Sequence, residues 1–374
     1  MAAVVSVITV IPAKAGLTGA SLALIHLLLG VVEKSQNKVK ITVLTSSNAL
    51  EYPAFRKLVQ KGVSCKVLNI DRLPSPLYWL LLGLKLSLSG KHDIAHFSTP
   101  KVFFLMWPFA NMVSPKKILT LEGFPPFELA DEKFDARILG MFGWLFSLKK
   151  ADVVTACSEW LKKIVEKSYN VRSKVVSIHN PVDVERFASG FVRGNGSLLY
   201  IGRLHKVKGV DTAVKALFIL RRKHAQTTRL VVVGNGPELP HLRKLAEEIN
   251  VEDSVEFVGH RTDVERYINQ AEVVLVPSRY EPFGMTAAEA GAAGKPVVAS
   301  AVGGLKEIIV DGVTGFLFER ENVEMLAKKI HILLSDENLR RGMGENARKR
   351  IFENFSPTAV ASKMIKLYVE AVKQ

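Results

Sequence analysis

Short runs of Val, Ile and Leu alternate with longer segments of helical spacing along almost the whole chain. In the first half the runs are "AVVSVITVI", "VKITVLTS", "SCKVLNI", "HDIAHF", "KILTLE" and "DVVTAC", with "GASLALIHLLLGVVEK" among the helical segments between them. After Ser197 the rhythm restarts with "SLLYIG", "TRLVVVG", "SVEFVG", "EVVLVPS", "PVVAS" and "GFLFE". Continuously apolar strands separated by helices belong to parallel sheets covered on both faces. Two such series predict an α/β protein of two Rossmann-like, doubly wound domains. We expect the first over residues 1–187, joined by a C-terminal helix over 357–374, and the second over 188–356. The polar, glycine-ended "VDVERFASGFVRGNG" reads as the linker.

In such sheets ligands bind beyond the carboxyl ends of strands, where loops run into helix N-termini. Four loops of the second half have suitable content. "IGRLHKVKG" sets Arg203 and Lys208 after a strand, where a guanidinium and an ammonium can neutralise a diphosphate. A solvated basic loop is the other reading. "VVVGNGPE" brings Gly234 and Gly236, which can also serve a tight turn alone. "VEFVGHRTD" follows the third strand.

The fourth loop is "PSRYEPFGMTAAEAGAAGKPVVAS", with Glu281 before a Pro-Phe-Gly turn and Glu289 inside a small-residue segment. Pro282 keeps helix away from Glu281, whereas the residues from Gly284 onward favour it. The N–H groups of Gly284, Met285 and Thr286 then form an anion seat. Eight helical residues span roughly 12 Å, so the two acids suit one ligand held along its length. Glu289 would take the paired hydroxyls of a ribose and Glu281 would face a sugar. Alanines at 287, 288 and 290 bring the helix close to its sheet, where a carboxylate needs a partner.

"EPFGMTAAE", with "GRLHKVKG" before it and "GKPVVASAVGGLKEIIVDGVTGFLF" after it, resembles the retaining glycosyltransferases of family 4. "ADVVTACSEWLKK" and "HNPVDVERF" (Asn180, Asp183) fit the same family, so the resemblance covers most of residues 150–320. The first 150 residues match loosely, through the first strand and "AGLTGA". The resemblance implies the GT-B fold, two Rossmann-like domains with a nucleotide sugar in the cleft. It implies transfer of a hexosyl group, with retention, from a UDP- or GDP-linked donor to a glycan, lipid-linked or small-molecule acceptor. By the same resemblance Gly16 approaches the donor phosphates through its backbone, and Arg203 and Lys208 hold the diphosphate. Glu289 binds the ribose, Glu281 the donor sugar, and Gly259 and His260 meet the base. Gly234, Phe283, Gly284, Met285 and Thr286 complete the expected donor contacts. No cofactor and no metal are expected.

One departure concerns the histidine that this family places in an "LHG"-like turn near the donor sugar. This chain reads "TLEGFPP", with Glu122 there. A carboxylate can stabilise an oxocarbenium-like transition state or accept a proton, or it can only bond a sugar hydroxyl. The expected catalytic group is therefore Glu281, Glu122, Arg203 and Lys208. His96 in "HDIAHF" is another candidate imidazole, against the reading of a satisfied strand-end histidine. A catalytically silent sugar-nucleotide binder is the rival function, kept open by Glu122.

Composition narrows the class. Hydrophobic residues at 48% and charged residues at 23% describe a globular protein. Cys65 and Cys157, the two cysteines, lie in apolar runs and read as buried hydrophobes, which fits a reducing, cytoplasmic compartment. "MAAVVSVITVIPAKAG" has no positive charge before its apolar run and reads as a first strand. No apolar run reaches the roughly 17–25 residues of a membrane span. The net charge is +15, with the larger surplus in the first half. Such a surface can meet phosphates, nucleic acid or an anionic membrane. Nucleic acid is not expected, because no recognised module or aromatic-interleaved basic patch is visible. "LYWLLLGLKLSLSGK" has Tyr78 and Trp79 at one end and Lys85 and Lys91 further on, a composition suited to a membrane interface. Its leucines are not confined to one face, so a core helix is the other reading. From this segment we expect weak, peripheral binding to the anionic cytoplasmic face of a membrane.

Overall fold

The computed structural model describes residues 4–123, 134–169, 171, 173–188, 194–224 and 228–373. These form two compact units. One comprises the chain up to Pro181 together with the segment from Ser356 onward, and the other is Val182–Phe355.

The first unit is built on seven strands: β1 (Val5–Ile11), β2 (Val39–Ser46), β3 (Ser64–Leu68), β4 (Ile94–Phe97), β5 (Lys116–Leu121), β6 (Val153–Ala156) and β7 (Lys174–Ser177). Their order is β3-β2-β1-β4-β5-β6-β7, and every neighbouring pair is parallel. The chain therefore winds outward in two directions from β1. With right-handed crossovers, that reversal puts helices on both faces of the sheet. On one face the helix Gly19–Lys34 packs against Pro357–Lys373, so the last helix of the chain completes the first core. The helices Ser75–Ser87, Pro100–Val113 and Phe134–Lys150 pack side by side elsewhere in this unit.

The second unit carries six strands: β8 (Ser197–Ile201), β9 (Arg229–Val233), β10 (Val255–Gly259), β11 (Ala271–Val276), β12 (Val297–Ser300) and β13 (Gly315–Phe318). They run parallel in the order β10-β9-β8-β11-β12-β13. All six match the apolar runs read after Ser197. The expected break near residue 187 is displaced. Val182, Val184 and Phe187 are buried, and the Val182 N–H donates to the Phe355 carbonyl at 2.8 Å. Apolar residues in "VDVERF" thus make the start of that segment part of the second unit rather than a free linker.

A polar chain crosses the first core. His96 is fully buried on β4, with Nδ1 2.7 Å from the Tyr368 hydroxyl and Nε2 2.7 Å from Thr120 Oγ1. Thr120 continues to Thr155 at 2.6 Å. Burial pushes the imidazole down to about 3, so it is neutral and uses one nitrogen as donor and the other as acceptor. His96 is the satisfied strand-end histidine, not an available acid or base.

Helix packing in this unit depends on closeness at Gly30. A β-carbon there would strike the Pro357 carbonyl, whereas one at Gly19 would meet open space. Gly30→Ala should lower stability to urea by about 1–3 kcal/mol through overpacking, despite alanine's better helix propensity. Gly19→Ala should leave it unchanged or slightly raised.

Candidate functional site

The carboxyl ends of β8 and β11 meet in the second unit, and their two loops are tied together by backbone and side chain. After β8 the chain makes a short turn at Lys206–Lys208, capped by His205, whose Nδ1 accepts the Val207 N–H at 3.2 Å. After β11 comes Ser278-Arg279-Tyr280-Glu281. The Arg279 N–H donates to the Val207 carbonyl at 2.8 Å, and its guanidinium donates to the Lys206 carbonyl at 2.5 Å. The same guanidinium holds Asp211 through two bonds of 2.9 and 2.8 Å and Glu321 through one of 2.7 Å. Burial acts to raise Asp211, but the bonds and charge of Arg279 prevail and hold it below the usual carboxylate range.

Within this brace Lys208 Nζ lies 2.8 Å from Glu281 Oε2. Ser278 Oγ donates to the same oxygen at 3.1 Å. The side chains are largely shielded, at 29% exposed for Lys208 and 12% for Glu281. The sequence reading gave these residues to different parts of a ligand; the fold pairs them with each other. Arg203 stays exposed on the same loop, and its carbonyl accepts the buried Tyr200 hydroxyl at 3.0 Å.

Gly284 begins the helix Met285–Ala292 with φ +111°, a conformation that a β-carbon resists. Gly303 is needed beside it, because a β-carbon there would collide with the Glu281 carbonyl. That carbonyl also accepts the Gly304 N–H at 3.0 Å. Met285 and Thr286 open the first turn, where N–H groups lack partners within the helix. The Thr286 hydroxyl donates to the Ile201 carbonyl at 3.3 Å and pins that turn to the end of β8. Phe283 does not face open space: its ring is buried, 5.8 Å from that of Phe355.

Glu289 is half-buried on the same helix. Burial pushes its carboxyl up to about 7; Arg186 opposes this, while Asp183 and Glu265 add to it. Arg186 is itself paired with Glu265 at 2.5 Å. Among the described residues no group hydrogen-bonds the Glu289 side chain. Gly234 donates its N–H to the Gly259 carbonyl at 2.8 Å, and a β-carbon on it would strike the Gly202 carbonyl. The GNG loop therefore owes its glycine to close packing of neighbouring strand exits. His260 is exposed at the end of β10.

The remaining expected residues lie in the first unit. The Gly16 N–H is engaged by the Ala13 carbonyl at 2.9 Å. Glu122, half-buried after β5, accepts from Asn180 Nδ2 at 2.5 Å. Both line a cleft with Leu27, Thr120, Thr155 and Met364. Among the described residues no group of three His, Cys, Asp or Glu side chains is placed to hold a metal ion.

Two family models match successive parts of the chain: "Glycosyltransferase Family 4" over residues 31–186 and "Glycosyl transferases group 1" over residues 182–350. The chain belongs to the family 4, group 1, glycosyltransferases. A glycogen synthase of Mycobacterium tuberculosis is 34% identical over 234 residues, 61% of this chain and 56% of that one. N-acetyl-alpha-D-glucosaminyl L-malate synthase of Bacillus anthracis is 29% identical, over 61% of this chain and 62% of its own. The match thus spans little more than half of these relatives. Among solved structures, sucrose-phosphate synthase of Thermosynechococcus elongatus has a TM-score of 0.75 at 21% identity, covering 98% of each chain. Anabaena HepE, in complex with UDP and glucose, has a TM-score of 0.74 at 20% identity, covering 96% of this chain and 98% of its own. These likenesses show the fold, two parallel α/β units of the GT-B type.

The raised carboxyl of Glu289 has a consequence for stability. Between its ordinary value of 4.5 and about 7 the folded chain holds a proton that the unfolded chain has lost. Stability contributed by that group is present at pH 4.5 and falls as pH rises towards 7. Urea titrations of the wild type and Glu289→Gln across this window should show a steeper decline in the wild type; parallel curves would place the carboxylate in water.

Proposed function

We propose that this protein is a retaining, metal-independent glycosyltransferase. In this reading it moves a hexosyl group from a UDP- or GDP-linked donor to a glycan, lipid-linked or small-molecule acceptor. The observation that carries the reading is the Lys208–Glu281 pair, braced by Arg279 beside the helix start at Gly284. A diphosphate entering there supplies a second anion for Lys208, with Arg203 and the N–H groups of Met285 and Thr286 as further donors. Glu281, released from part of its pairing, is then free to accept sugar hydroxyls. Glu289 accepts the hydroxyls of the ribose as a carboxylate.

The reaction breaks the bond between the anomeric carbon and the diphosphate and forms one to the acceptor oxygen on the same face. The acceptor proton passes to the departing diphosphate. Negative charge on that group grows as the bond breaks, so Arg203 and Lys208 bind the transition state more strongly than the donor. Glu122, held by Asn180, has the role of a hydroxyl acceptor or of a charge near the reacting carbon. Its place in the binding or chemical step is open to a direct test.

Isothermal calorimetry with a nucleoside and its diphosphate tests the donor site. Arg203→Ala or Lys208→Ala should weaken diphosphate binding by about 1.5–3 kcal/mol and leave the nucleoside nearly unaffected. Equal losses for both ligands would assign these cations to support of the fold. Glu122→Gln keeps the hydrogen bonding and removes the charge. Lower turnover with unchanged donor affinity places Glu122 in the chemical step, and full activity removes it.

A further inference from the structure

The first unit carries an apolar surface that neither its core nor the donor site uses. On the helix Ser75–Ser87 and its cap, Leu77, Leu80, Leu84 and Leu88 are exposed, the last by 80%. They recur three or four residues apart and so share one face. Tyr78, Leu82 and Leu86 are fully buried and form the opposite, inward line. The core therefore already has its residues from this helix, and the outward leucines are surplus to it.

The surface extends over two neighbouring helices. Gly83 packs against the ring of Phe109 and brings the helix Pro100–Val113 alongside. Met112 on that helix is 59% exposed. Phe104 and Trp107 join it to Phe134–Lys150, with Phe104 5.3 Å and Trp107 5.4 Å from Phe146 between ring centroids. On this third helix Ile138 and Phe142 are each 57% exposed, and Leu145 completes the same face. Large outward apolar groups on three adjacent helices exceed the scattered single residues normal for a soluble surface.

Charge decides what covers this surface. Lys85, Lys91, Lys101, Lys149 and Lys150 are exposed on or beside the three helices. Lys91 is tethered to the Met112 carbonyl at 2.8 Å, and Lys150 lies 5.4 Å from the centre of the Trp107 ring. The segments Ser75–Ser87 and Pro100–Val113 contain no acid, and Asp135 is the sole one in Phe134–Lys150. A second copy of this chain would set lysine against lysine, which opposes self-association. Leucine, phenylalanine and half-exposed tryptophan ringed by lysine match a bilayer with anionic headgroups. No helix among the described residues is long and apolar enough to cross a membrane. We infer that the face formed by these three helices docks on the surface of an anionic lipid bilayer, with Leu80, Leu84 and Phe142 entering the headgroup layer. The inference does not depend on the transferase reading.

The test is flotation of the full chain with vesicles of phosphatidylcholine alone or of equimolar phosphatidylcholine and phosphatidylglycerol. At low salt the protein should float with the anionic vesicles, and tryptophan emission should shift to the blue. Salt should release it. Lys149→Gln should weaken binding about fivefold, the effect of one lysine near such a surface. Leu80→Ser with Phe142→Ser should abolish flotation while the urea midpoint and nucleoside diphosphate binding stay at wild-type values. The inference fails if the wild type does not float, or if the double variant floats equally well. It also fails if the chain dimerises through this face, shown by sedimentation as an association that the double variant loses.

Discussion

The guanidinium of Arg279 is the fixed point of the candidate site. It bonds one carbonyl and two carboxylates, while its own backbone N–H reaches a second carbonyl of the loop after β8. A planar fork with five donors can hold such partners at once, which a lysine cannot do. With that loop held, Lys208 and Glu281 have little freedom to drift apart. The pair is thereby held at one place between the loops after β8 and β11.

Most of the fold was legible because parallel strands buried on both faces announce themselves as apolar runs. Twelve such runs were read, and all six in the second unit became strands. The strand missed was β7, "KVVS", at the edge of the first sheet. It is four residues long, begins with an exposed lysine and is buried at only two positions, so its pattern is too brief to separate from a loop. The displaced domain break has a related cause. "VDVERF" is polar in composition, yet its Val and Phe residues sit in a core that local sequence does not reveal.

The site was legible in its residue types and less so in their pairings. Glu281, Lys208 and Glu289 were singled out from motif and chemistry, but the ion pair joining the first two spans 73 positions and leaves no local signal. Arg279 stood inside the decisive stretch without a role, since its partners Asp211 and Glu321 lie 68 and 42 positions away. Phe283 and Gly234 were expected as donor contacts from the family resemblance alone. Their side-chain burial and close backbone packing are properties of the assembled sheet. Asn180 came with a motif, and only the fold brings it to Glu122.

The Tyr368–His96–Thr120–Thr155 chain gives the final helix a part in the order of synthesis. Its hydroxyl must meet an imidazole from β4, so the buried His96 Nδ1 finds its partner only when Tyr368 is present. Residues Val182–Phe355 form a contiguous unit and emerge from the ribosome before that helix does. Domains generally fold as units while the chain is being made. Closing the first core thus requires a contact between residues 272 positions apart, with the whole of the second unit lying between them in the chain.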